Sequence, residues 1–132
     1  MNHHRMMKTD LSNRKDIEKL VNSFYDKVKS DELIGFIFNE VAKVNWDHHL
    51  PIMYGFWEMM LFGTGQYRGD PMTKHIELDK KTELIEIHFD RWRKLFTETV
   101  DELFTGSKAD ETKQRANHIA SVMLFRIQQT RS

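Results

Sequence analysis

Residues 82–104 read TELIEIHFDRWRKLFTETVDELF. Within them Ile85, Phe89, Trp92, Phe96, Val100 and Leu103 recur at steps of three and four, the spacing of one helical face. Acidic and basic residues fill the positions between. This stretch predicts an amphipathic helix from about residue 82 to about 104. The same period continues outward in both directions. After Gly106, a last helix is expected over about 110–129, with Ala116, Ile119, Ala120, Met123 and Ile127 on its apolar face. Toward the N-terminus, Ile17, Leu20, Val21, Phe24 and Val28 mark a helix over 13–29, with Asn13 as N-cap and Asp16 in the first turn. Tyr25 lies on the edge of that stripe. Ser30 then caps a dense apolar segment, residues 33–38, and a linker follows over 39–45. A second long helix starts between Asn45 and Pro51; a proline suits a first turn best, which leaves the start open. Met53, Phe56, Trp57, Met60 and Leu61 form its stripe. Residues 63–71 are loop by composition, and a short helical turn is expected around Lys74, His75 and Ile76. Period-two alternation is weak everywhere, so the fold class is all-α.

Composition bounds the function. The 132 residues hold 20 Lys plus Arg and 20 Asp plus Glu, a formal charge of zero. That balance argues against a general phosphate-backbone binder. There is no cysteine, which removes disulfides, iron–sulfur clusters, thiolate zinc sites, a cysteine nucleophile and a covalent CxxCH haem. No stretch approaches 18 apolar residues, so no membrane span is expected. The basic start MNHHRMMKTD has no apolar signal core, so a cytoplasmic location is expected. Residues 1–10 are read as a flexible tail and 11–130 as a single domain. Nine Phe, three Tyr and three Trp suit a dense core or a pocket for a flat apolar ligand.

Several chemistries are poorly matched. The run 63–69, GTGQYRG, is one residue too long for GxGxxG and follows a helix rather than a strand. There is no P-loop and no GxSxG. No His has a Glu three residues before it, HExxH is missing, and no two His are four apart, so no helical metal motif is present. Most of the seven His read as ordinary core or surface residues. His49 and His75 stand out by their neighbours. His49 precedes an aromatic helix, and His75 follows a Gly/Pro loop on a short helical element. His48 is expected to face solvent.

An ordered series of motifs then emerges: Phe24-Tyr25; DELIGFIF over 31–38; Trp46-Asp47-His48-His49-Leu50-Pro51 ahead of Phe56-Trp57; Tyr67-Arg68-Gly69-Asp70-Pro71; His75; and His88-Phe89-Asp90-Arg91-Trp92. In order and spacing this series resembles the group III truncated haemoglobins, small bacterial globins, from about Ile17 to Ile127. The absence of Gly-Gly pairs agrees with that group. The resemblance implies a truncated globin-like sandwich, two helices over two helices, around haem b (iron protoporphyrin IX). It implies His75 as the proximal iron ligand. It implies Tyr25 as a distal hydrogen-bond donor, with Trp92 lending an indole N–H on the same side. His49 matches the distal-helix histidine; its spacing to Phe56-Trp57 favours it over His48. Phe38, Met53 and Trp57 would line the haem. Arg68, Lys74 and Arg91 are candidates for the propionates. The segment 78–83 departs from the pattern: it is slightly longer than usual and has no proline.

The function implied is reversible binding of dioxygen, nitric oxide or carbon monoxide, in a monomer with no nucleic-acid or membrane partner. An alternative is a haem oxidoreductase, a nitric oxide dioxygenase or a peroxidase-like enzyme. Its electron donor would be a separate reductase, since none fits within this length. A third reading is a helical binding domain that has lost haem; His75, Tyr25 and Trp92 together speak against it.

Overall fold

The computed structural model describes residues 7–67, 69 and 71–131. Five α-helices follow one another: α1 (Arg14–Lys29), α2 (Trp46–Phe62), α3 (Pro71–Lys81), α4 (Glu86–Leu103) and α5 (Ser107–Thr130), with a π-helical turn at Ile37–Val41. The α1 helix packs on α2 and α4, α4 packs on α5, and α3 lies on α5. Two long pairs thus stack on each other, as expected for the all-α two-over-two arrangement. The heart of the core is the α1 stripe, Ile17, Leu20, Val21, Phe24 and Val28, set against Phe96 and Val100 of α4 and Ala116, Ala120 and Ile127 of α5. Two buried threonines accompany it. Thr99 and Thr112 donate to the carbonyls of Leu95 and Lys108, each 2.6 Å away, so neither hydroxyl is left unpaired.

The N-terminal ends of the helices follow from local chemistry. Asn13 caps α1, its side chain accepting from the Asp16 N–H, and Asn45 caps α2 by accepting from the His48 N–H. Pro51 sits in the second turn of α2 rather than the first, where the Asp47 carbonyl loses its usual donor. The α2 helix ends on Gly63 at φ 69, a left-handed C-cap that glycine adopts without strain. Gly55 has a different reason to be glycine. A Cβ there would stand 2.2 Å from the Gln66 carbonyl oxygen, so the loop after α2 folds back directly onto the helix backbone.

Three sequence expectations are corrected. The residue that caps the segment after α1 is Asp31, not Ser30: its carboxylate accepts from the Leu33 and Ile34 N–H groups, both at 3.0 Å. Ser30 instead ends α1. Ile85 does not begin the buried stripe of α4. It is the extended N-cap residue, and Leu84 turns inward in its place. The element around His75 is a full helix of 11 residues, not a short turn.

Residues 1–6 of the expected tail lie outside the described residues. Of the rest, Thr9 accepts from the Thr105 N–H at 3.1 Å. Asp10 accepts from the Lys108 and Ala109 N–H groups, both at 2.8 Å. Asp10 thus caps α5 from the other end of the chain, next to Gly106, which has no side chain to do so.

Candidate functional site

The α1 stripe turns Tyr25 into the space under α2. Tyr25 is 7% exposed and sits among four rings. Their centroids are 4.8 Å away for Phe24, 5.3 Å for Trp46, 5.4 Å for His49 and 6.1 Å for Phe38. Burial pushes the Tyr25 phenol well above its ordinary range, so the hydroxyl keeps its proton. No described residue hydrogen-bonds to it.

His49 and His48 separate as expected: His49 is half-buried and His48 exposed. The His49 ring meets Tyr25 edge-on at 78° and Trp46 at 79°. Its Nε2 is buried with no hydrogen-bond partner. Burial is the main reason its pKa is lowered, followed by the charges that His75, His48 and Lys74 would bring. The electrostatic coupling to His75 links α2 to α3, although α3 packs on α5.

His75 is half-buried on α3. Its Nδ1 lies 2.6 Å from the Pro71 carbonyl oxygen. Because a carbonyl only accepts, Nδ1 carries the proton and Nε2 keeps its lone pair. Burial holds the His75 pKa down, against the raising effect of the Pro71 bond. The result is a neutral imidazole with one nitrogen fixed and the other available, the form that ligates a metal.

Trp92 and Trp57 belong to an adjoining ring cluster that shares Phe24 with the first. Trp92 meets Phe24 edge-on at 5.6 Å and stacks on Phe96 at 5.5 Å. Trp57 also stacks on Phe96, with 5.0 Å between the ring centroids. Trp57 is buried, whereas Trp92, Phe38 and Met53 are half-buried against the core. Of the propionate candidates, Lys74 is exposed beside His75. Arg91 is tied to the buried Asp31 carboxylate at 2.8 Å, and Arg68 lies outside the described residues. At Asp31, burial alone would raise the pKa, but bonds from Ile34, Arg91 and Leu33 outweigh it and hold it low.

Sequence reasoning missed Trp46. It stacks on Phe38 at 6.1 Å, closes one side of Tyr25 and His49, and lies under the Lys29 ammonium at 4.8 Å. Its position three residues before His49 on one helix was the available signal. It also missed His88 as a cap: its Nδ1 accepts from the Ile85 N–H at 3.1 Å, which makes it part of the α4 start.

The donor set bears on what the site can hold. Among the described residues no three His, Cys, Asp or Glu side chains gather as a metal site. A single neutral His instead suits a metal that arrives with most of its ligands in place, as iron does in a porphyrin. The unpartnered Nε2 of His49 belongs to a ring in edge contact with Tyr25, and a polar ligand there would satisfy it. The residues present therefore fit haem.

Comparisons with known proteins agree. The bacterial-like globin family matches residues 10–126. The Group 3 truncated hemoglobin ctb of Campylobacter jejuni subsp. jejuni is 36% identical over 119 residues, covering 87% of this chain and 91% of that protein. The crystal structure of group III truncated hemoglobin from Campylobacter jejuni superposes with a TM-score of 0.80 at 32% identity, covering 92% of this chain and 95% of the other. With fold and sequence both matched over most of its length, the chain belongs to the bacterial-like globins and, among them, to the group III truncated haemoglobins.

Proposed function

We propose that this globin holds haem b through His75 and binds dioxygen, or another small diatomic ligand, on the side of Tyr25, Trp92 and His49. The observation that supports this most is the state of His75: Nδ1 donates to the Pro71 carbonyl at 2.6 Å, which leaves Nε2 as a lone-pair donor. Haem, when bound, supplies an iron coordination position that takes such ligands reversibly.

The protein's own groups do the rest. The Pro71 carbonyl fixes the His75 ring and increases its basicity toward a metal. The Tyr25 O–H is a neutral donor, kept protonated by burial. A ligand with partial negative charge would accept from it and from the Trp92 indole N–H. His49, edge-on to Tyr25, stands as the gate to this side. Phe38, Met53 and Trp57 supply apolar walls that keep water from the ligand. Lys74, exposed one residue before His75, is the propionate partner best supported here. The reading is of a cytoplasmic monomer, in keeping with a chain that has no cysteine and no described helix long and apolar enough to cross a membrane.

The two donors also support a second reading. A pair that retains its ligand suits a reactant better than a cargo. Nitric oxide dioxygenase or peroxidase-like turnover, fed by a separate reductase, is that alternative.

The test is His75→Gly. The variant should lose the visible spectrum of a histidine-ligated ferrous haem and regain it when imidazole is added. A spectrum unaltered by the substitution refutes His75 as the ligand.

A further inference from the structure

The α3 helix carries His75 yet has no fully buried residue, and it packs on α5 rather than on the other long helices. Only Ile76 and Leu78 pack it, partly buried, against the core, so polar ties add to what sets its direction, and the densest of these is at its C-terminal end. Asp79 stands four residues after His75, one turn along the same face. The Asp79 carboxylate accepts from the Arg131 guanidinium at 2.5 Å on Oδ1 and 3.2 Å on Oδ2. Oδ1 also accepts from the Leu84 N–H at 2.7 Å. Arg131 donates in turn to the Leu84 carbonyl and lies 3.7 Å from Glu83. One guanidinium thus joins the end of α3, the link between α3 and α4, and the C-cap of α5.

This knot falls in and just after the segment 78–83, which holds no proline. A link without proline is less constrained by its own backbone. Here a bidentate ion pair, specific in geometry as well as charge, supplies the constraint. The Asp79 side chain is 9% exposed and that of Arg131 is 29% exposed, so the pair is shielded on the helix side.

We infer that Arg131, acting through Asp79, is a positioning residue for His75, setting the tilt of α3 and with it the direction of the Nε2 lone pair. Neither residue touches the ligand site. The Pro71 carbonyl fixes the His75 ring from the start of the helix, and Asp79 fixes the helix from its end. The inference rests on the reading of His75 as the haem ligand.

The experiment uses the haem-loaded ferrous protein and two substitutions. Arg131→Gln removes the fork, and Asp79→Asn removes the charge while keeping an oxygen for Leu84. Lys27→Gln, which cuts the 2.6 Å Lys27–Glu102 pair between α1 and α4, serves as the control. Resonance Raman reads the iron–histidine stretching band, and transfer to excess apomyoglobin reads haem release. Both α3 variants should shift or broaden the band and release haem about two- to fivefold faster, the scale of a partly exposed pair. The control should do neither. A wild-type band in either α3 variant overturns the inference, even if haem release speeds up, because that pattern reports stability alone. If Arg131→Gln fails to fold, Asp79→Asn decides by the same criterion. A wild-type protein that binds haem but has no iron–histidine band defeats the His75 reading itself, and this inference with it.

Discussion

Replacing Tyr25 with Phe removes one oxygen atom and little else. The ring is held by Phe24, Trp46, His49 and Phe38 at centroid distances of 4.8 to 6.1 Å, and Phe offers the same ring to all four. The hydroxyl has no hydrogen bond within the described protein to lose. It is a proton donor at any working pH, because burial raises its pKa. Its whole donor capacity is therefore available to a ligand. A hydrogen bond to a partly charged group in a dry site contributes about 1.5–3 kcal/mol. Lost from the bound state alone, that amounts to about one to two decades in the dissociation rate. Stopped-flow displacement of dioxygen by carbon monoxide measures that rate directly. Tyr25→Phe should release dioxygen about 10- to 150-fold faster, while urea unfolding of the haem-free protein stays within about 0.5 kcal/mol of wild type. Trp92→Phe should act in the same direction. The double variant should fall short of the product of the two effects, since donors to one ligand are coupled. A dissociation rate within twofold of wild type for Tyr25→Phe refutes the donor assignment. Strict additivity refutes a shared ligand.

Other perturbations have effects of definite sign. His49→Leu exchanges a ring with a buried, unpartnered Nε2 for an apolar side chain of similar size. It should stabilise the haem-free fold by about 1 kcal/mol in urea unfolding, and a loss of that size would contradict the burial argument. Asp10→Ala strips the remote cap from α5 and should cost about 1 kcal/mol; an unchanged urea midpoint would show that Gly106 and water serve α5 equally well. Burial lowers the pKa of His75, His49 and His88 in the folded state. The unfolded chain then binds more protons below about pH 6.5, so these groups stabilise the haem-free fold fully above that pH and progressively less below it. Asp31 and Asp79 are also held low, Asp79 mainly by the Arg131 bond. Their contribution is present above about pH 4 and is lost as pH falls further. The urea midpoint should drop from pH 7.5 to 5.5 and again toward pH 3.5; a rise over the first interval would reverse the assigned signs.

The stripes of α1, α4 and α5 were legible because each is long, and its period is satisfied by burial along the whole element. The all-α class and the order of the helices follow from them. Helix ends were less legible where the capping group is not the nearest polar residue. Ser30 and Asp31 are both good caps by type, and only the fold shows that Asp31 can also pair with Arg91 from α4. The sequence of α3, PMTKHIELDKK, suggests no more than a turn because it buries no residue fully, and Ile76 and Leu78, which pack on the core, are two apart and make no helical stripe. Tyr25, Phe38 and His49 were nameable through the resemblance, and the fold brings them into one cluster. Trp46, in the same cluster, went unassigned because its role depends on three partners from different segments. The ties made by Asp10 and Arg131 join residues 98 and 52 positions apart. Such pairs leave no local pattern, and no periodicity argument reaches them.

The central claim is that a single neutral His75 opposite Tyr25 makes this chain a haem protein with a free ligand position. A visible absorption spectrum tests it most directly: the purified protein titrated with haem, reduced with dithionite, then exposed to carbon monoxide. The account predicts one haem per chain, and a sharp Soret band that moves when carbon monoxide binds. Haem that gives no defined Soret band, or a reduced band that carbon monoxide does not move, would contradict it.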